Sequence, residues 1–132
     1  MWTEARGREV VYARSGGLDE ILGNVRASEW SHRLARRHAL GGWRPSNGLH
    51  LHPVTHAWLH QNPAAAYAGG WHIRDGHHGA TAPERVPVWL ALPWRGWWLL
   101  HDEPGDGGPP LLTLADTDRP PPATMPPTLR EM

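Results

Sequence analysis

The sequence predicts an α+β fold, and three stretches predict it. TEARGREVVYAR (residues 3–14) reads as an amphipathic helix stopped by Ser15-Gly16-Gly17. Leu49 and Leu51 alternate with His50 and His52, a half-buried strand pattern, and Pro53 then suits a first helical turn. Beyond residue 70, short runs rich in Trp, Val and Leu are split by Pro, Gly and charges and read as strands. A chain of 132 residues suffices for one small domain. Its nine tryptophans supply core area that phenylalanine, absent here, would otherwise give.

The elements follow in order. Residues 18–26 are turn-like around Gly23-Asn24, and Ala27 to His32 reads as a strand. An arginine-rich loop with Gly41, Gly42 and Pro45 as breakers leads to a second strand at 48–52. VTHAWLHQ (54–61) reads as a short helix, and AAAYA after Pro63 as another, stopped by Gly69-Gly70. Trp71–Arg74, Val86–Leu92 and Trp97–His101 read as strands. From Pro104 the composition is that of a flexible or polyproline tail, with a weak apolar island at Leu111–Leu114. The expected organisation is an N-terminal part at 1–26, a core at 27–74, a strand extension at 75–103 and a Pro/Gly-rich tail at 104–132.

Formal charge is zero, but residues 1–60 carry eight arginines against five acids, and 61–132 five against eight. All thirteen basic residues are arginine, a side chain suited to bidentate phosphate contacts. The lack of cysteine excludes disulfides and thiolate-bound zinc. No leader pattern opens the chain and no apolar run approaches a membrane span, so a cytoplasmic protein without membrane contact is expected.

Six of the ten histidines fall between Ser31 and His60. His56 and His60 are four apart in a helix, so both imidazoles project from one face and can share a divalent ion. Ala57 stands where a zinc protease needs its glutamate base, which argues against proteolysis.

His32, Asn47 and His56 follow in that order on a strand, at a strand start and on a short helix, and this resembles the HNH nuclease motif. RSGG at 14–17, EWSHRLARR, GGW-x-PSNGLHL, HAWLH-x-NPAAAYAGGW and PVWLALPW-x-GWWLL extend the resemblance over about residues 8–101 to the small HNH proteins of actinobacterial phages and their hosts. The resemblance implies a ββα-metal finger with an N-terminal helix, short Trp-rich C-terminal strands and a Pro-rich tail. It implies metal-dependent hydrolysis of DNA phosphodiesters. His32 would be the general base and Asn47 the residue that fixes the finger loop. His56 and His60 would hold one divalent ion, Mg, Mn, Ni or Zn. Arg33, Arg36, Arg37 and Arg44 would clamp DNA phosphates. DNA is the implied partner, and by analogy phage packaging proteins such as terminase.

The chain departs from that pattern twice. Ser31 stands before the base, where relatives place a metal ligand, and a hydroxyl is a poor one. The zinc-knuckle cysteines of many relatives are replaced by Asp19, Leu22, His52 and Thr55, so no structural zinc is expected. Two other readings stay open. One is a catalytically silent DNA- or protein-binding module on the same fold. The other is a metal-binding protein that uses a wider histidine set with His72, His77 and His78. The tryptophans Trp30, Trp43, Trp58 and Trp71 are expected in the core.

Overall fold

The computed structural model describes residues 2–35, 42–74, 82–103 and 111–130. Helix α1 (Glu4–Ser15) is N-capped by Thr3, whose hydroxyl accepts from the Arg6 N–H, and ends at Gly16 in the left-handed conformation. Its buried stripe is narrow: Gly7, Val11 and Ser15, four residues apart, face inward while the rest is largely in solvent. Strands β1 (Glu29–His32) and β2 (Gly48–Leu51) pair antiparallel, with His32 opposite Gly48 and Ser31 opposite Leu49. A 3-10 turn at Pro45–Asn47 feeds β2. Helices α2 (Pro53–Gln61) and α3 (Pro63–Ala68) follow, then a short α4 (Ala82–Arg85). Strands β3 (Val88–Leu90), β4 (Gly96–Leu100) and β5 (Leu112–Leu114) form an antiparallel sheet in the order β3-β4-β5. The fold is therefore mixed α+β with two small antiparallel sheets among the described residues. No helix among them is long and apolar enough to cross a membrane.

One core joins these pieces. Leu49 and Leu51 of β2, Leu59 of α2, Ala66 of α3, Trp71, and Val88, Leu90, Trp98 and Leu100 of the second sheet pack together with Ile21. Burying such side chains is the main favourable term holding the layers. Trp30 and Trp71 are buried as expected, whereas Trp43 and Trp58 are half-buried. Two glycines are dictated by close approach. A Cβ on Gly48 would stand 2.1 Å from the Trp30 ring, and one on Gly70, at φ 72°, would stand 2.0 Å from the Pro87 carbonyl oxygen.

The RSGG turn owes its sequence to hydrogen bonding. The Arg14 guanidinium, almost wholly buried, grips Glu20 through two 2.8 Å contacts and also donates to the carbonyls of Pro45 and Gly48. Ser15 Oγ accepts from the Gly17 N–H and stands 2.8 Å from His50 Nδ1. This network ties α1 to β2.

The buried carboxylate of Asp19 joins the turn at residues 19–22 to the end of β2. Oδ1 accepts from the N–H groups of Ile21 and Leu22, and Oδ2 from the N–H of His52, each at 2.9 Å. His52 in turn caps α2, its Nδ1 accepting from the Val54 N–H. Hydrogen bonds to a carboxylate thus tie the two segments together. Asp19→Asn is expected to destabilise the chain by about 1–3 kcal/mol, because an amide nitrogen would face one of these three donors. Urea unfolding measures this, and an unchanged midpoint would remove Asp19 from that role.

Two expectations are corrected. Trp71–Arg74 is not a strand: Ile73 alone bridges to Leu34, in parallel, its N–H donating to the Arg33 carbonyl. The tail is not a free appendage where it is described. β5 pairs with β4, the Trp97 indole N–H donates to the carbonyls of Arg119 and Pro120, and Met125 packs on the core. Proline-rich backbone carries unpaired carbonyls, and the Trp97 N–H needs an acceptor, so the two meet.

Candidate active site

The hairpin, α2 and the segment after α3 enclose a cavity of about 320 Å³ lined by His32, His56, His60, His72, Tyr67 and Trp30 among others. His32 ends β1, and its ring stands 5.9 Å from Trp30 and 5.1 Å from Trp43, centroid to centroid. His56 and His60 project from one face of α2 with ring centroids 5.2 Å apart. The structure thus brings together three of the four histidine and asparagine side chains picked from the sequence.

The fourth, Asn47, acts one step away. Its buried side chain closes a two-way clamp on Leu34: Oδ1 accepts from the Leu34 N–H at 2.7 Å, and Nδ2 donates to the Leu34 carbonyl at 3.0 Å. Its own carbonyl accepts from the Arg33 N–H at 2.9 Å. Asn47 therefore fixes the backbone that leaves His32.

His56 carries its own orienting partner. Glu29 Oε1 lies 2.8 Å from His56 Nδ1. A ring nitrogen facing a carboxylate donates to it, so when the ring ligates a metal it does so through Nε2. Sequence reasoning passed over Glu29. The signal was its place three residues before His32 on β1, opposite Leu51, which packs with Leu59 of α2.

His72 was grouped with His77 and His78 from the sequence, but it belongs to this cavity. Its ring centroid lies 5.0 Å from that of His60. Burial, and then the neighbouring His60 and His56, push its pKa down to about 4, so it is a neutral imidazole at physiological pH. Its Nε2 is buried without a hydrogen-bond partner. Tyr67 and Arg74 stand nearby, with the exposed Arg74 guanidinium 4.3 Å over the Tyr67 ring. His77, His78 and His38 lie outside the described residues.

The donor set suits a divalent ion only in part. His56 and His60 offer imidazoles from adjacent turns, with His56 oriented by a carboxylate. Ser31 does not line the cavity, and its buried hydroxyl lacks a partner. As the side chains stand, no three His, Asp or Glu groups among the described residues close into a ready-made cage. The residues fit an open site, with protein ligands on one side and room for water and phosphate on the other.

The arginines behave differently from expectation. Arg33 is 1% exposed, and its guanidinium is spent on backbone carbonyls: Nε on Gly70, Nη1 on Ser46 and Pro83, Nη2 on Val86. Burial, reinforced by Arg14, pushes it down to about 9, still charged at neutral pH. It cannot clamp DNA; it positions the chain around the cavity instead. Arg44 is paired with Asp102, Nε to Oδ2 at 2.7 Å, with Glu84 further out. Burial alone would raise the Asp102 carboxyl, but hydrogen bonds from Ser46 and the Arg44 pairing outweigh it and hold it below the ordinary aspartate value. Arg44 therefore ties the 3-10 turn to the end of β4, and its charge is already answered. Arg36 and Arg37 lie outside the described residues. Arg74 is exposed and stacked on the cavity-lining Tyr67, and no motif in the sequence singled it out.

No protein-family model, curated protein or solved structure matches the chain.

Proposed function

We propose that the protein is a metal-dependent DNA endonuclease of the HNH type, with β1, β2 and α2 as a ββα-metal finger. The observation that carries this reading is the convergence on one cavity of His32 from a strand end and the His56–His60 pair from the following helix, with Asn47 clamping the strand exit. Base and ligand imidazoles need separate backbone supports to face one scissile phosphate, and hairpin and helix supply them.

The chemistry follows from these side chains. A DNA phosphodiester enters the cavity mouth, where Arg74, stacked on Tyr67, meets a neighbouring phosphate. His32 accepts a proton from a water molecule as the water oxygen bonds to phosphorus. The P–O3′ bond breaks, and the 3′-oxygen leaves with a proton from solvent. Imidazole suits the base role because its intrinsic pKa lies near neutrality. Glu29 holds His56 in the tautomer whose Nε2 can ligate. His56 and His60 would hold a divalent ion, Mg, Mn, Ni or Zn, which would supply Lewis-acid stabilisation of charge on the phosphate and the leaving oxygen.

A supercoiled-plasmid assay across these metals tests the reading. Nicking is expected with at least one divalent ion and none in EDTA. His56→Ala is expected to raise the metal requirement by about 10–100-fold. Absence of cleavage with every metal would favour the second reading, a silent DNA- or protein-binding module. That alternative draws on Arg33 and Arg44 being consumed inside the fold. Phage packaging proteins such as terminase are candidate partners on analogy alone.

A further inference from the structure

The two-histidine site lacks the ligand that Ser31 fails to supply, and the cavity wall opposite α2 holds a replacement. His72 follows Trp71, which is fully buried and fixed by its indole N–H to the Trp89 carbonyl at 2.7 Å. The backbone N–H groups of Trp71 and His72 both donate to the Ala66 carbonyl at the end of α3. One residue on, Ile73 bridges to Leu34, and Arg33 Nε donates to the Gly70 carbonyl. The 70–73 segment is thus stitched to the exit of β1, which brings His72 to the cavity that His32 lines. Rigid backbone on both sides of an imidazole is the support a metal ligand needs.

Ring geometry agrees for the two pairs that share His60. Two imidazoles that share one tetrahedral ion through nitrogens about 2 Å from it have ring centres about 5 Å apart. The His56–His60 and His60–His72 centroid separations are 5.2 Å and 5.0 Å. His60 stands between the other two and is exposed, so its side chain is free to turn and close the set. His72 Nε2 is buried beside it with no hydrogen bond to satisfy it. A buried imidazole nitrogen without a partner is costly unless something occupies it.

We infer that His72 is a third protein ligand to the divalent ion, completing with His56 and His60 a three-imidazole site in which the post-α3 segment supplies a ligand that Ser31 does not. This deepens the nuclease reading and rests on its metal site. Three neutral imidazoles favour zinc or nickel over magnesium, whose preferred ligands are oxygens.

Calorimetric titration of the full chain with Zn²⁺, free of DNA, tests the inference apart from cleavage. His56→Ala and His72→Ala are each expected to weaken Zn²⁺ binding at least about tenfold. If His56→Ala abolishes binding and His72→Ala retains wild-type affinity, the third ligand is overturned while the α2 site stands. Wild-type chain that binds no Zn²⁺ overturns both. Imidazole ¹⁵N NMR of the unmodified chain serves should His72→Ala misfold. The His72 ring resonance is expected to move with those of His56 and His60 at the same Zn²⁺ stoichiometry, and a His72 signal unmoved at saturation overturns the proposal.

Discussion

Arg33→Met is expected to cost about 3–5 kcal/mol of folding stability, the range for removing one partner from a buried charged network. Four backbone carbonyls, of Gly70, Ser46, Pro83 and Val86, would lose their donor together. Each stranded acceptor carries a desolvation penalty that a methionine cannot offset. Small domains have about 5–15 kcal/mol in total, so the variant would approach the unfolding threshold. Arg33→Lys should fall between, since an ammonium keeps the charge but cannot fork to four carbonyls from three segments. Thermal and urea unfolding measure both. A phosphate-contact role predicts the opposite pattern: unchanged melting, weaker DNA binding and a shallower salt dependence. That pattern would refute the structural role.

Arg33 also shows how far a sequence can be read. The strand, the hairpin and helices α1, α2 and α3 were legible because periodicity and stop residues are local signals. The His56–His60 pair was legible for the same reason. Arg33 was misread because an arginine beside an arginine-rich loop looks solvated. Alternation offered a warning, since Arg33 shares the Ser31 face of the strand and not the His32 face, and Ser31 is fully buried. His72 was named only within a wider histidine set and not joined to His60, because eleven residues and a left-handed turn at Gly70 separate the two and no periodic rule spans such a return. Helix α4 has four residues, too few to display a period. The tail was misjudged because composition counts prolines and does not see the indole donor of Trp97 that binds them.

Asp19 marks a different limit. The sequence showed that the chain has no cysteine, but the role of Asp19 was not visible in residue types. A carboxylate that serves three backbone donors needs those donors folded around it, which only the tertiary structure supplies.

His32→Ala is expected to lower DNA cleavage by about 10²–10⁴-fold, the usual contribution of a positioned general base. Its fold should survive. The His32 side chain is only partly buried and lines the cavity, while Asn47 holds the adjoining backbone without using the imidazole. Metal affinity should also change little, since the ligands proposed are His56, His60 and His72. The loss should therefore appear in the rate of the chemical step and not in the metal requirement.

The measurement closest to the central claim is the initial rate of supercoiled-plasmid nicking by wild-type chain and by His32→Ala at saturating divalent metal, with circular dichroism verifying equal folding. The account predicts metal-dependent nicking by the wild type and a loss of at least about 100-fold in the variant. Equal rates for the two folded proteins would contradict it.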